Sequence, residues 1–149
     1  MSQTYTAHVV WSSDAETHKS GRYSRRHEWR FDGGAVVPGS SAPPVPGSDP
    51  SAVDPEEALV AAVSACHMLF FLAFARKNGL VVTAYDDEAE GEMTPNENGK
   101  LFISKITLRP RVTFEGEADP AAVEASHHAA HEECYLANSV RADVLIQPR

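Results

Sequence analysis

Two thiols, Cys66 and Cys134, and the imidazoles near them are the side chains of this sequence best suited to chemistry. Cys66 stands beside His67 in SACHMLFF, Ser64 to Phe71, an otherwise apolar run. A thiol in such a setting is either inert packing, as buried cysteines commonly are, or a protected nucleophile. Cys134 falls in ASHHAAHEECYLANSV, where His127, His131 and Cys134 follow at spacings of four and three. On a helix that spacing gathers them near one face, which suits a metal site as well as a solvated histidine cluster. Zinc would want four ligands, and Cys66 with His67 would complete the set, but the chain has neither Cys-x-x-Cys nor His-Glu-x-x-His. The rival chemistry is a two-thiol redox cycle, in which one thiolate is oxidised to sulfenic acid and the other thiol condenses with it to a disulfide. That cycle needs a cation to stabilise the thiolate and an acid to hold the cation. Lys19, Arg22, Arg25 and Arg26 are candidate cations, each equally at home on a solvated strand face, and Glu56 and Glu57 are candidate carboxylates.

The elements that must position these groups follow from patterning. Tyr5–Trp11 and Tyr23–Phe31 alternate β-branched and aromatic residues across a long polar turn, which reads as a hairpin. From Asp32 to Val53 the chain turns to Gly, Pro and Ser, a loop long enough to be functional, for instance as a lid. Asp54, Pro55 and Glu57 then open a helix with a cap, a first-turn proline and a capping-box pair, and Lys77 with Gly79 closes it. No residue between Ala58 and Ala75 carries a formal charge, the minimal length of a membrane span. Its alanines, Ser64 and His67 favour instead a helix buried on every side, and in a small protein a second subunit is one way to bury it. VVTAYDDEAEGEM and LFISKITLRPRVTF read as two strands joined through TPNENGK. Asp119-Pro120 opens a second helix running to about Cys134, and SVRADVLI closes the chain as a strand. The order β-β-α-β-β-α-β predicts one α+β domain over residues 1–149, its mostly antiparallel strands packed on two main helices.

A formal charge of −8, from 13 Lys+Arg against 21 Asp+Glu, argues against nucleic acid and anionic membrane surfaces, which are bound through clustered cations. The N-terminal MSQTYTAHVVW lacks the pattern of a secretory signal, which predicts the cytoplasm, where lasting disulfides are rare and catalytic ones are the usual exception.

Two motifs carry a family resemblance. DPEEALVAAVSAC, Asp54 to Cys66, resembles the helix of the OsmC/Ohr family of organic hydroperoxide peroxidases, and AHEECYLANSV, Ala130 to Val140, is similar to that family's second-cysteine motif. The resemblance runs from Tyr5 to Ile146 and is weakest between Asp32 and Val53. It implies an intertwined homodimer with active sites at the interface, which reduces organic hydroperoxides to alcohols without metal, haem or other cofactor. On that pattern Cys66 is the peroxidatic cysteine, Cys134 the resolving cysteine, and Glu56 the glutamate anchoring an arginine, for which Arg25 fits best with Arg22 and Lys19 as alternates. A lipoyl-type dithiol is the implied reductant. Ten residues of helix span about 15 Å, so Glu56 and Cys66 of one straight helix cannot touch, and direct cooperation would call on a partner chain. Met68, Leu69, Phe70, Phe71 and Phe74 around the thiol suit a greasy hydroperoxide better than hydrogen peroxide. The chain departs from the family where His67 follows Cys66 and Tyr135 follows Cys134, so His67 is either a proton donor or a satisfied polar group at the interface. Two further functions compete: a binding protein of the same fold for an apolar ligand, and a metalloprotein using His127, His131 and Cys134.

Overall fold

A computed structural model describes all 149 residues, which form two compact units, Met1–Ala58 and Leu59–Arg149. In the first, β1 (His8–Val10), β2 (His27–Arg30) and β3 (Val36–Gly39) make an antiparallel sheet in that order. The hairpin of β1 and β2 is as the alternation predicts, but its polar turn holds a short helix, α1 (Ala15–Lys19). Asp14 explains it: Oδ1 accepts the Thr17 N–H at 2.9 Å and Oδ2 the Thr17 hydroxyl at 2.7 Å, so the cap outweighs a weak apolar pattern. The expected loop from Asp32 to Val53 is also more ordered than its composition implies. Gly34, with φ of 92°, reverses the chain so that β3 pairs with β2, and beyond β3 Ser40 N–H donates to Val53 O at 2.9 Å.

Helix α2 (Pro55–Lys77) begins with the predicted capping box, since Glu57 N–H donates to Asp54 Oδ1 at 2.8 Å while Asp54 N–H donates to Glu57 Oε1 at 2.9 Å. It ends at Gly79, whose φ of 80° lets Leu80 N–H reach back to Ala75 O at 2.9 Å. The rest of the second unit is β4 (Val82–Asp87), β5 (Glu90–Pro95), β6 (Leu101–Leu108), β7 (Pro110–Phe114), α3 (Pro120–Glu133) and β8 (Asp143–Ile146). β4 pairs antiparallel with β7, whereas β6 lies between antiparallel β5 and parallel β8. Each of the two long strands expected here is therefore split. One breaks after Asp87 and the other at Arg109-Pro110, where Asp87 Oδ1 accepts the Arg109 N–H at 2.6 Å and each half joins a different sheet.

One ridge of α2 holds this unit together: Val63, His67, Phe71 and Ala75, four residues apart, are buried. Val63 packs with Ile106 and Leu108, while Phe71 and Ala75 pack with Leu80 and Ala130, and each of the larger side chains, the alanines excepted, contributes about 2 kcal/mol. Gly91 lets β5 approach closely, since a Cβ there would lie 2.6 Å from Val60 Cγ2. Burial all round, as the unbroken apolar pattern predicts, does not occur within the single chain. Ala61, Ala62, Ala65 and Ala73 are exposed, and Leu69 keeps 63% of its surface. By length and composition α2 would also cross a membrane.

Candidate active site

Helices α2 and α3 share a seam in the second unit, and the polar groups of the sequence meet along it. Asn78 Nδ2 donates to Ser126 Oγ at 2.9 Å, the His127 ring stacks on Phe71 with centroids 4.1 Å apart, and Phe70 meets the edge of Tyr135 at 5.0 Å. At the same seam the two predicted thiols come together. Cys66 and Cys134 are both free, and Cys66 lies close enough to Cys134 to influence its thiol. Cys134 caps the C-terminal end of α3, is 1% exposed, and accepts the Ala137 N–H on Sγ at 3.4 Å. Burial raises its pKa, and the neighbouring Cys66 raises it further by favouring the protonated thiol. Cys66 is half-buried, so of the two sulfurs it is the more open to an incoming molecule. The helix that carries it is tied at Ser64, whose hydroxyl donates to Asp87 Oδ2.

The histidines divide differently from the metal alternative. His67 Nε2 and His127 Nδ1 lie 3.0 Å apart, with ring planes 3° from parallel, at 1% and 6% exposure. Burial lowers each pKa to about 4; the His127 and His131 charges lower His67 further, while Asp87 acts upward on His127. Both rings are therefore neutral near pH 7. Their outer nitrogens, His67 Nδ1 and His127 Nε2, are buried without partners. His67 thus belongs to the interior of its own chain, where the apolar ridge of α2 turns it toward α3, rather than to a subunit interface. With His127 Nδ1 engaged by His67 and Cys134 turned to Cys66, no three His, Cys, Asp or Glu side chains converge to hold an ion. The sequence pointed to each member of the imidazole pair but not to their pairing. The four-residue spacing of Val63, His67 and Phe71, whose burial the structure shows, is the signal from which the inward turn of His67 could be found.

Arg25 and Glu56 belong to the first unit. Arg25 is half-buried, its N–H donates to Gly47 O at 2.9 Å, its Nε donates to Pro46 O at 2.8 Å, and its guanidinium lies 4.7 Å from the centre of the Tyr23 ring. Only glycine fits at position 47, where φ is 81° and a Cβ would sit 2.6 Å from Tyr23 O. A 420 Å³ pocket opens beside Arg25, lined also by Trp11, His18, Tyr23, Ser41 and Pro55. Among the alternates, Lys19 is paired with Glu16 at 2.8 Å and Arg22 is exposed; Arg26 meets Asp49 at 2.5 Å. Glu56 lies in the first turn of α2, and its Oε2 is buried with no hydrogen-bond partner.

Comparison with known proteins places the fold and the family. The family model described as OsmC-like protein matches residues 47–149, which include α2, α3 and both cysteines. An OsmC-like protein of unknown function from Vibrio cholerae is 43% identical, with a TM-score of 0.93 over 99% of this chain and 100% of its own. The organic hydroperoxide resistance protein OhrB of Bacillus subtilis shares the fold at 19% identity and a TM-score of 0.70, covering 97% of this chain and 98% of that one. An organic hydroperoxide resistance protein, OsmC, from Legionella pneumophila does so at 17% identity and a TM-score of 0.66, over 98% and 95% of the two chains. No curated protein matches the sequence. With the thiol-bearing helices inside the matched segment and a relative of 43% identity along the whole length, the chain belongs to the OsmC-like family.

Proposed function

We propose that this protein is a cytoplasmic, homodimeric thiol peroxidase that reduces organic hydroperoxides to alcohols. The observation that carries the reading is the approach of Cys66 to Cys134 across the seam of α2 and α3. In the first step the Cys66 thiolate attacks the distal oxygen of the hydroperoxide; the O–O bond breaks, Cys66 becomes a sulfenic acid, and the alkoxide leaves as alcohol after protonation. Cys134 then displaces the sulfenic hydroxyl, giving a disulfide and water. An external dithiol of the lipoyl type resets both thiols through a mixed disulfide. Arg25 is the cation that favours the thiolate and Glu56 the carboxylate that orients it. These two roles come from the family resemblance, and the unpartnered Glu56 Oε2 is consistent with a group awaiting a donor. The apolar residues beside Cys66 favour an alkyl or aryl hydroperoxide. The uncovered face of α2 supports a second copy as its cover.

The test is a thiol titration before and after one equivalent of cumene hydroperoxide. Loss of two thiols per chain, with one cumyl alcohol formed, is the expected result. Retention of both thiols would leave the fold as a binding protein for an apolar ligand.

A further inference from the structure

His131 has no part in the reading above, yet its surroundings fit one step of it. It stands on α3 three residues before Cys134, a helical spacing that holds Cβ atoms roughly 5–6 Å apart. Its Nδ1 is buried and has no hydrogen-bond partner. A buried polar atom without a partner is costly, so packing alone does not account for an imidazole there. His131 also lines a 380 Å³ cavity with Lys105, Ala137, Ala142 and Asp143, and it is the Ala137 N–H that meets Cys134 Sγ at 3.4 Å. His131 therefore belongs both to the cavity wall and to the last turn of α3, which ends at the buried thiol.

Of the other imidazoles, His67 and His127 meet each other through their inner nitrogens and keep His67 Nδ1 and His127 Nε2 unpartnered, but neither stands within one turn of Cys134 on α3. His127 lies seven residues from Cys134, roughly 10 Å along the helix, and His67 Nε2 is taken up by His127 Nδ1. Asp87 accepts from Ser64 and from the Arg109 N–H.

Resting on the peroxidase reading, we infer that His131 accepts the Cys134 proton as the disulfide forms, with the cavity as the route by which that proton leaves. The Cys134 S–H bond breaks as its proton passes to His131 Nδ1. The sulfur attacks the sulfenic sulfur of Cys66, the S–S bond forms, and the S–O bond breaks. The departing hydroxide takes a proton relayed from the imidazolium through cavity solvent and leaves as water. Cys134 sulfur is oxidised and Cys66 sulfur reduced, so no further oxidant is needed. The titratable groups around His131 are His67 from α2, His127 and Cys134 from its own helix, Lys105 from β6 and Asp143 from β8; Lys105 is itself paired with Glu92 at 2.6 Å.

Rapid mixing of the full-length protein with one equivalent of cumene hydroperoxide tests the step, with sulfenic acid followed by a dimedone-type trap and disulfide by quenched thiol assay. In His131→Ala and His131→Gln, sulfenic acid should form within twofold of the wild-type rate, while disulfide formation slows by roughly a hundredfold, the usual worth of a positioned base. Its rate should then rise with pH where the wild-type rate is flat, and added imidazole should restore part of it in His131→Ala. Should His131→Ala fail to fold, His131→Asn carries the same comparison. Disulfide formation at the wild-type rate would overturn the inference, as would a slowed rate with an unchanged pH profile and no imidazole rescue. Absence of sulfenic acid in the wild type would instead defeat the peroxidase reading itself.

Discussion

The two sulfurs differ in setting, and the difference orders their roles. Cys134 is buried with its pKa raised, whereas Cys66 is half-buried, so in the proposed cycle the peroxide meets Cys66 first. Cys66→Ser should abolish peroxide turnover with the fold intact, because a hydroxyl of nearly the same size is not ionised at neutral pH. Steady-state consumption of cumene hydroperoxide measures it. Cys134→Ser should spare the first turnover and leave Cys66 to sulfinic and sulfonic oxidation, visible by mass spectrometry under excess peroxide. For Arg25→Ala, loss of the proposed cation should move the pH midpoint of Cys66 alkylation upward by about one unit, equivalent to about 1.4 kcal/mol. Glu56→Ala should cause a smaller shift in the same direction, by misplacing the guanidinium rather than removing it. An unmoved midpoint in Arg25→Ala would shift the role to Arg22 or Lys19.

At the scale of elements, the contact of α2 with α3 carries a built-in acid sensitivity. His67 and His127 each titrate near 4 when folded and near 6.5 when exposed by unfolding. Between those values the unfolded chain binds more protons than the folded one, so stability is fully present above about pH 6.5 and is lost as pH falls toward 4. Each imidazole adds a slope approaching 1.4 kcal/mol per pH unit in that window. Urea denaturation at a series of pH values should show the slope, and the double variant His67→Phe, His127→Phe should flatten it. Equal slopes in the two proteins would mean that other groups govern acid unfolding. The same seam shows how sequence and structure diverge locally. The capping box of α2 and the Asp119-Pro120 opening of α3 were legible because caps are satisfied by residues close in sequence. The strand breaks at Asp87 and Arg109 were not, because each is fixed by a bond between positions 22 residues apart.

For the molecule as a whole, the apolar face of α2 from Ala61 to Ala73 demands cover, and a second copy supplies it in the proposed assembly. Leu69→Lys, at the large exposed apolar side chain of that face, should weaken self-association by at least tenfold, about 1.4 kcal/mol, in sedimentation equilibrium. A variant that associates as tightly as the wild type would place the interface elsewhere. The sequence by itself determined the two main helices, the mixed α+β character and the presence of two thiols on helices of the family pattern. Those follow from caps, periodicity and motif spacing, all short-range in the chain. Tertiary structure alone decided that Cys66 meets Cys134, that His67 pairs with His127 instead of facing a partner subunit, and that the long predicted strands divide between two sheets. The two contacts at the helix seam join positions 60 or more residues apart, and only packing of the α2 ridge fixes which side chains meet there.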